Sequence, residues 1–442
     1  MSIKTHSSNT SKKQLFLLSI PVFFSNIAIP LVGVVDTGLM GNLGEAKFLA
    51  ATSIGTTFMS LIIWSFGFLR MGTVGVVAQL YSKSDFREIV RTLLRNLVFA
   101  LIVSLILILS KPIFIYVINK FFLVSIETKN LVFTYISTRI FSIPFEFIIF
   151  ILIGFYLGIQ KTNITGLLLI SWSILNIILS SLFVLSLDLE IFGVVLGTLI
   201  SSIITASLFS LITYKYIIKN FQIIPRFQKI FDPIKFVRLF NINLDLFFRT
   251  LFLTFSFLWV NYLGSKIGED YLAVNNILMQ FIILTAFFLD AYAFSTEGIV
   301  GYTVGRKNIK SFNLIVENSI KLSFFTSLFI SFLLIIFLKP TINIFTDVEM
   351  LRFIAYKHAL WIIILPPVAS FCYQLDGIFI GASQTKDIKY AMIISVIFFV
   401  IISIYLVKQF GNHGLWFAFL LFIFMRSVTL TFFFNNIYKK FK

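Results

Sequence analysis

Thr73-Val74-Gly75-Val76-Val77 returns 223 residues later as Thr296-Glu297-Gly298-Ile299-Val300, and this recurrence decides the fold. The same shift carries Phe48-Leu49-Ala50 onto Tyr271-Leu272-Ala273, Pro144 onto Pro367, Gly154 onto Gly377, Gly158 onto Gly381 and Thr162 onto Thr385. Each match is weak alone. One offset shared by separated places is not expected by chance, and a fixed period marks a duplicated architecture. Because 223 is about half of 442 residues, the chain reads as two copies of one unit.

Composition says what the unit is. Apolar residues make up 58% of the chain and charged residues 12%, against roughly 45–50% and about 25% in an ordinary soluble domain; the mean hydropathy is +0.98. This is the composition of a polytopic membrane protein. Apolar segments bounded by charged or Gly/Pro/Asn clusters lie near 15–40, 48–80, 90–110, 128–157, 163–186, 191–214, 237–263, 271–302, 314–338, 350–381, 388–407 and 414–437. At about 20 to 25 residues per crossing, twelve spans leave no room for a soluble catalytic domain. The predicted fold is all-α, with twelve transmembrane helices in two pseudo-symmetric six-helix bundles. An N-lobe covers residues 1–214 (spans 1–6), a basic cytoplasmic linker 215–236, and a C-lobe 237–442 (spans 7–12). Six is even, so both copies point the same way, related by an axis along the membrane normal, as in transporters built from parallel repeats.

The formal charge of +17, from 36 Lys+Arg against 19 Asp+Glu, would suggest nucleic acid in a soluble chain. Here it has a membrane explanation. Assigning the termini and every second loop to one side places 23 basic residues there and 9 on the other. By the positive-inside rule both termini are cytoplasmic, in a multi-pass protein of the plasma (inner) membrane that needs no nucleic-acid partner. Lys4, Lys12 and Lys13 precede the first apolar run as in a signal peptide, but that run carries Pro21, Asn26, Pro30 and Asp36 and no small-residue cleavage site. It reads as a retained first span.

Several chemistries are excluded. One cysteine, Cys372, allows no disulfide framework or thiolate cluster, and His6, His358 and His413 are far apart in sequence and make no ligand pattern. No metal site is expected. There is no phosphate-binding G-x-x-x-x-G-K-[ST] loop and no H-E-x-x-H, so the chain hydrolyses no ATP and is not an enzyme. Transport must draw on an ion gradient or on a partner.

Ionisable groups inside spans are costly, about 2.5 to 3.5 kcal/mol for Asp at a helix centre on insertion scales, and therefore informative. They are Asp36, Arg70, Arg139, Glu146, Asp245, Arg249, Asp290, Glu297, Asp376 and Arg426. Asp36 follows Pro30 by six residues and Gly33 by three; a proline removes a backbone hydrogen bond and permits a kink. A carboxylate beside such a hinge can couple its protonation to helix shape; a carboxylate capped by Thr37 or a neighbouring Asn is the structural alternative. Ser173, Asn176 and Ser180 share one helical face in span 5, and Asn26 and Thr198 could complete a polar shell around Asp36. In the second half Asp245 and Arg249 are spaced for a helix ion pair. Asp290 and Glu297 share a face of span 8, able to bind a cation or be neutralised by Arg249 or Arg426. Asp376 follows Gln374 in a span interrupted by Pro366-Pro367, a second carboxylate near a hinge. Arg70, Arg139 and Glu146 read as structural, snorkelling or pairing across spans.

Longer stretches carry a family resemblance. Pro30-Leu-Val-Gly-Val-Val-Asp36-Thr-Gly-Leu-Met-Gly41-Asn-Leu-Gly44, Phe68-Leu-Arg-Met-Gly-Thr-Val-Gly75 and Asn243-Leu-Asp245-Leu-Phe-Phe-Arg249-Thr250 are followed by Leu289-Asp290 with Glu297-Gly-Ile-Val-Gly301, by Leu375-Asp376-Gly-Ile-Phe-Ile-Gly381-Ala, and by Gly411-Asn-His-Gly-Leu-Trp416. In this order, over nearly the whole chain, they resemble the multidrug and toxic compound extrusion (MATE) transporters, specifically the DinF-like branch. The resemblance implies two six-helix lobes around a central cleft, alternating access, and export of amphipathic, often cationic compounds by proton or sodium antiport, with proton favoured here. It implies that Asp36 is the ion-coupling carboxylate, with Asn176 and Thr198 as polar neighbours. The family commonly carries an acid where this chain has Ser180, which leaves Asp36 to act largely alone. Asp376 resembles the C-lobe carboxylate of other branches.

On this reading Asp36, Asn26, Asn176, Ser180 and Thr198 form the coupling site, Pro30 and Gly33 the hinge, and Asp290, Glu297, Gln374 and Asp376 the C-lobe candidates. Met40, Met59, Trp64, Met71, Trp259, Met279 and Tyr292 are candidate cleft-lining residues, soft and aromatic surfaces suiting varied ligands. No cofactor is expected beyond the coupling ion, H+ or Na+. The expected partners are small-molecule substrates and membrane lipids, and the protein is expected to act as a monomer. A lipid-linked precursor flippase of the same superfamily is the alternative within transport, and a membrane scaffold or sensor the alternative outside it.

Overall fold

A computed structural model describes residues 8–43, 45–121, 125–224 and 232–442. His6, Lys4, Gly44, Arg226 and Lys229, which entered the sequence argument, lie outside them. The described residues are helical, in the order α1 (Ser8–Gly41), α2 (Ala46–Ser65), α3 (Phe68–Ser82), α4 (Phe86–Leu109), α5 (Lys111–Phe121), α6 (Ile126–Arg139), α7 (Ile143–Gly158), α8 (Thr162–Leu185), α9 (Glu190–Tyr216), α10 (Pro233–Ile267), α11 (Glu269–Gly305), α12 (Ile309–Phe345), α13 (Glu349–Gly381) and α14 (Thr385–Tyr438). Among the described residues, eleven stretches are long and apolar enough to cross a membrane. The last of them is two crossings. Gly411 sits at φ 55°, ψ −133° inside α14, a left-handed conformation that glycine adopts without the penalty of a Cβ, and it divides the helix into spans 11 and 12. The twelve-span reading holds.

The helices are built inside out relative to a soluble bundle. Along α12, Ser319, Ser323, Ser327 and Ser331 recur every four residues and are buried, while Phe325, Phe329 and Phe332 are exposed. Residues four apart share a helix face, so small polar side chains line the packed face and phenylalanine the outer one. Small residues let helices approach closely where the surrounding lipid is as apolar as any side chain. Ser331 also repairs a defect. Pro367 lies inside α13 and has no N–H for the carbonyl of Ile363, four residues earlier. The Ser331 hydroxyl donates to that carbonyl at 2.7 Å. Accordingly α13 runs unbroken through Pro366-Pro367, where the sequence suggested an interruption. In the first half the matching Pro144 opens α7, after a 3-10 turn over Ile140–Ser142, where a missing N–H costs nothing.

The repeat is visible in the packing. A Cβ on Gly154 would lie 2.5 Å from the Arg70 carbonyl oxygen, and one on Gly158 3.0 Å from that of Val74. In the second half, a Cβ on Gly377 would lie 2.9 Å from the Ala293 carbonyl oxygen and one on Gly381 2.4 Å from that of Glu297. Both partners and glycines are 223 residues apart, so α7 closes on α3 as α13 closes on α11. Overpacking such a contact costs about 1–3 kcal/mol. Gly381→Ala is therefore expected to lower the thermal midpoint in detergent by several degrees, and Gly33→Ala, where the added Cβ meets nothing within 4 Å, not to lower it. Equal midpoints for the two variants would remove this account of the repeat.

The chain clusters into two compact units, Pro21–Phe240 and Met1–Ile20 with Asn241–Lys442. The expected lobes over 1–214 and 237–442 have different boundaries from these. The start of α1 belongs with the second half: the Ser19 hydroxyl donates to Ser295 at 3.1 Å, and Leu15 is buried. The start of α10 belongs with the first: Lys235 pairs with Glu88 at 2.9 Å, and Phe240 meets Phe99 edge to face. The expected 215–236 connector is partly helical, since α9 continues through Ile217–Phe221 and Phe221 stacks on Phe86 at 4.5 Å.

Candidate functional site

In the first unit α8 and α9 press together at Gly197, where a Cβ would lie 2.5 Å from the Ser180 hydroxyl. That contact lets a polar chain form. Asn176 donates to the Thr198 hydroxyl at 3.1 Å, and Ser180 donates to the Asn176 side-chain carbonyl and to the Val194 carbonyl, both at 3.3 Å. Asp36 of α1 lies at the Ser180 end of this chain. Its Oδ1 is enclosed and lacks a hydrogen-bond partner among the described residues. The Thr37 hydroxyl donates to the Gly33 carbonyl at 2.7 Å, so it does not cap the carboxylate. Ser180, Asn176 and Thr198 are thus hydrogen-bonded to one another, with Asp36 beside Ser180. Asn26 is buried and does not reach the carboxylate itself, because ten helical residues place it about 15 Å along α1 from Asp36. Pro30 and Gly33 lie within continuous helix, and nothing approaches Gly33.

Sequence reasoning set Arg139 and Glu146 aside as structural. Arg139 donates to Glu146 and to Ser142, and it also acts electrostatically on Asp36. One turn earlier Tyr135 lies against Gly55, and its hydroxyl is 3.0 Å from that of Thr56, which fixes α6 on α2. The signal was present: Arg139 and Glu146 are seven residues apart, two helical turns.

The second unit is different. The Nη2 atoms of Arg249 and Arg426 both donate at 2.6 Å to a single oxygen, Oδ2 of Asp376. Asp376 is therefore held between two guanidiniums, not poised as an open cation ligand. The expected Asp245–Arg249 pair is not formed; Asp245 accepts from Lys389 at 2.5 Å and from Thr385 at 3.2 Å. Gln374 accepts from Thr296 at 3.2 Å. Glu297 is buried, Asp290 is half-buried, and both have partners. The 223-residue shift carries Asp36 onto Trp259 and Ser180 onto Ser403, and this pair is in contact, Trp259 Nε1 donating to Ser403 at 2.9 Å. The second copy keeps the contact and replaces the carboxylate with an indole.

The candidate cleft residues scatter. Met40 and Met59 are buried, Met71 is half-buried and Trp64 is 60% exposed. Met279 lies in the apolar core of the second unit with Trp259 packed against it, and the Tyr292 hydroxyl accepts from Thr326 at 3.1 Å. Met279 and Trp259 are core residues in this structure because their surroundings are filled by neighbouring helices. His358 and His413, distant in sequence, stack with centroids 4.2 Å apart, and Trp361 donates to His413 Nδ1 at 3.1 Å. No group of three or more His, Cys, Asp or Glu able to hold a metal occurs among the described residues.

The MatE family model matches twice, over residues 21–182 and 246–406, once in each copy. The chain is 30% identical to DNA damage-inducible protein F of Escherichia coli (strain K12) over 425 residues, 95% of this chain and 91% of that protein. It is 24% identical to the probable multidrug resistance protein NorM of Photorhabdus laumondii over 95% of this chain and 94% of that one. Among solved structures it superposes on a MATE protein in complex with MaD3S with a TM-score of 0.88 at 17% identity, covering 97% of each chain. It also superposes on a MOP superfamily transporter from Pyrococcus furiosus with a TM-score of 0.87 at 18% identity, covering 98% and 97%. With both copies matched and nearly the whole length aligned, the chain belongs to the MatE family of membrane transporters.

Proposed function

We propose that this protein is a multidrug exporter that expels amphipathic, often cationic small molecules by cation antiport through alternating access, with H+ as the coupling ion in preference to Na+. The observation that carries the reading is the Asp36 carboxylate in the first unit, beside Ser180 and with its enclosed Oδ1 unpartnered among the described residues. A carboxylate so placed takes either a proton or a cation, and a ligand that favours one conformation shifts the population toward it. Bending of α1 near Pro30 and Gly33 is the movement coupled to that exchange. The names of the relatives, a multidrug resistance protein and multidrug export proteins among them, support export of foreign compounds. The flippase reading is disfavoured because Arg139, Arg249 and Arg426 are committed to carboxylates and are not free to hold a pyrophosphate. The excess of basic residues on one set of loops supports cytoplasmic termini, and a monomer suffices for this cycle.

The test is transport of a fluorescent cation into proteoliposomes carrying an imposed proton gradient or an imposed sodium gradient. Proton-driven accumulation without sodium-driven accumulation is the expected outcome. Accumulation under neither gradient overturns the reading, and accumulation under sodium alone reassigns the ion.

A further inference from the structure

In the second unit, α13 meets the Gly411 break of α14 through two histidines. The break lies at the far end of the last span from the C-terminus. His358 is buried and stacks on the exposed His413, with ring centroids 4.2 Å apart. Hydrogen bonds fix which nitrogen of each ring carries the proton. His358 Nδ1 lies 2.7 Å from the Ile354 carbonyl oxygen, which can only accept, so Nδ1 donates. Its Nε2 is enclosed and has no hydrogen-bond partner among the described residues; a proton there would leave a buried N–H unpaired. His413 Nδ1 accepts from the Trp361 indole at 3.1 Å, and an indole N–H can only donate. The His413 proton is therefore on Nε2. In this arrangement both rings are neutral.

The surroundings supply no counter-charge. From α11, Tyr271 meets His358 edge-on at 6.2 Å. From α13 come Trp361 and Lys357, whose ammonium lies over Phe353 at 4.3 Å. From α14, Asn412 is committed to Asn275. Among the described residues no carboxylate pairs with either ring. A histidine side chain ordinarily changes charge between about pH 5 and 8. The exposed His413 takes a proton first, because water solvates the new charge, and that charge then opposes a second one on the stacked ring. Protonated on both nitrogens, His413 has no lone pair left for Trp361. We infer that His413 is a proton-operated latch: neutral, it ties Trp361 of α13 to the break in α14; protonated, it releases that tie and loosens the second half of α14. Trp361 also packs on Phe417 at 5.6 Å, in the first turn of that half, so the release reaches the helix that carries Arg426. With cytoplasmic termini, as proposed above, the latch faces the outer solution and reads external acidity. It is a control separate from coupling at Asp36.

The test is indole N–H NMR of the full chain in lipid nanodiscs, with the Trp361 signal identified by its loss in Trp361→Phe. In the parent that signal should shift on acidification from about pH 8 to 5. His413→Gln keeps a side-chain acceptor that cannot be protonated there, and should hold the signal still. His413→Ala removes the acceptor and should keep the acid-form position at every pH. His358→Phe retains a flat ring beside His413 and should still titrate; loss of the titration in that variant moves the proton to His358 and overturns the assignment. A parent signal that does not move, or movement that persists in His413→Gln, also overturns it. Transport is the second readout, measured in proteoliposomes at a fixed pH difference while the absolute pH on both sides is lowered. The parent-to-His413→Gln ratio of initial rates should change about two- to tenfold, the worth of one net hydrogen bond. A merely structural pair leaves that ratio flat, and a flat ratio overturns the control of transport. The indole titration needs neither substrate nor gradient, so its failure is distinguishable from failure of the exporter reading.

Discussion

Asp36→Asn is expected to abolish gradient-driven export in everted vesicles while leaving the protein folded. The amide has the size of the protonated carboxyl, and the chain from Ser180 through Asn176 to Thr198 holds without Asp36. What is lost is the group that changes charge. Coupling requires that ion and substrate prefer different states, and a side chain that never ionises gives the proton no state to prefer. Coupling free energies of 1–3 kcal/mol correspond to about 5- to 150-fold, and accumulation against a gradient should fall by the upper part of that range. Downhill movement of substrate should fall less. Asp36→Glu keeps the ionisable group on a longer arm and should retain part of the activity. Full proton-driven transport by Asp36→Asn, measured at matched protein levels, would sink the assignment. Ser180→Ala is expected to be milder, since Asn176 and Thr198 still bond to one another.

What the sequence made legible was periodic or compositional. The 223-residue shift, the twelve apolar segments and the break at Gly411 are each a property of neighbouring residues or of a fixed spacing, and the helices follow them. Pairing between distant helices is a different kind of information. Arg249 stands four residues from Asp245 yet bonds Asp376, 127 positions away, because α13 brings a carboxylate to that depth and Lys389 offers Asp245 a nearer cation. His358 and His413 looked isolated for the same reason; they become neighbours only when α13 packs beside the Gly411 break. Asp36 was found because its clue was local, a carboxylate six residues past a proline. Arg139 read as structural for an equally local reason, and it is paired with Glu146 two helical turns on.

The second large effect concerns the Asp376 cluster, and its sign depends on counting partners. Removing one partner of a buried ion pair typically costs 3–5 kcal/mol, because the other charge is left uncompensated. Asp376 serves two cations through one oxygen, so Asp376→Asn strands both Arg249 and Arg426 in the interior, beside Cys372 and the apolar core. Arg426→Gln strands nothing, since Arg249 and Asp376 remain as a one-to-one pair. The expected order of thermal stability in detergent is therefore parent, then Arg426→Gln and Arg249→Gln together, then Asp376→Asn well below. For Asp376→Asn the loss should reach about 3–5 kcal/mol, enough to exceed a large share of a typical folding free energy and to deplete the protein from the membrane. Asp376→Asn combined with Arg426→Gln should recover part of that loss, because one of the two stranded charges is gone. A cation-binding carboxylate makes the contrary prediction: Asp376→Asn would then relieve a charge prepared for an absent ion, fold at least as well as the parent, and fail in transport alone. Melting curves of the four variants, taken beside transport at matched expression, decide between a structural clamp and a coupling site.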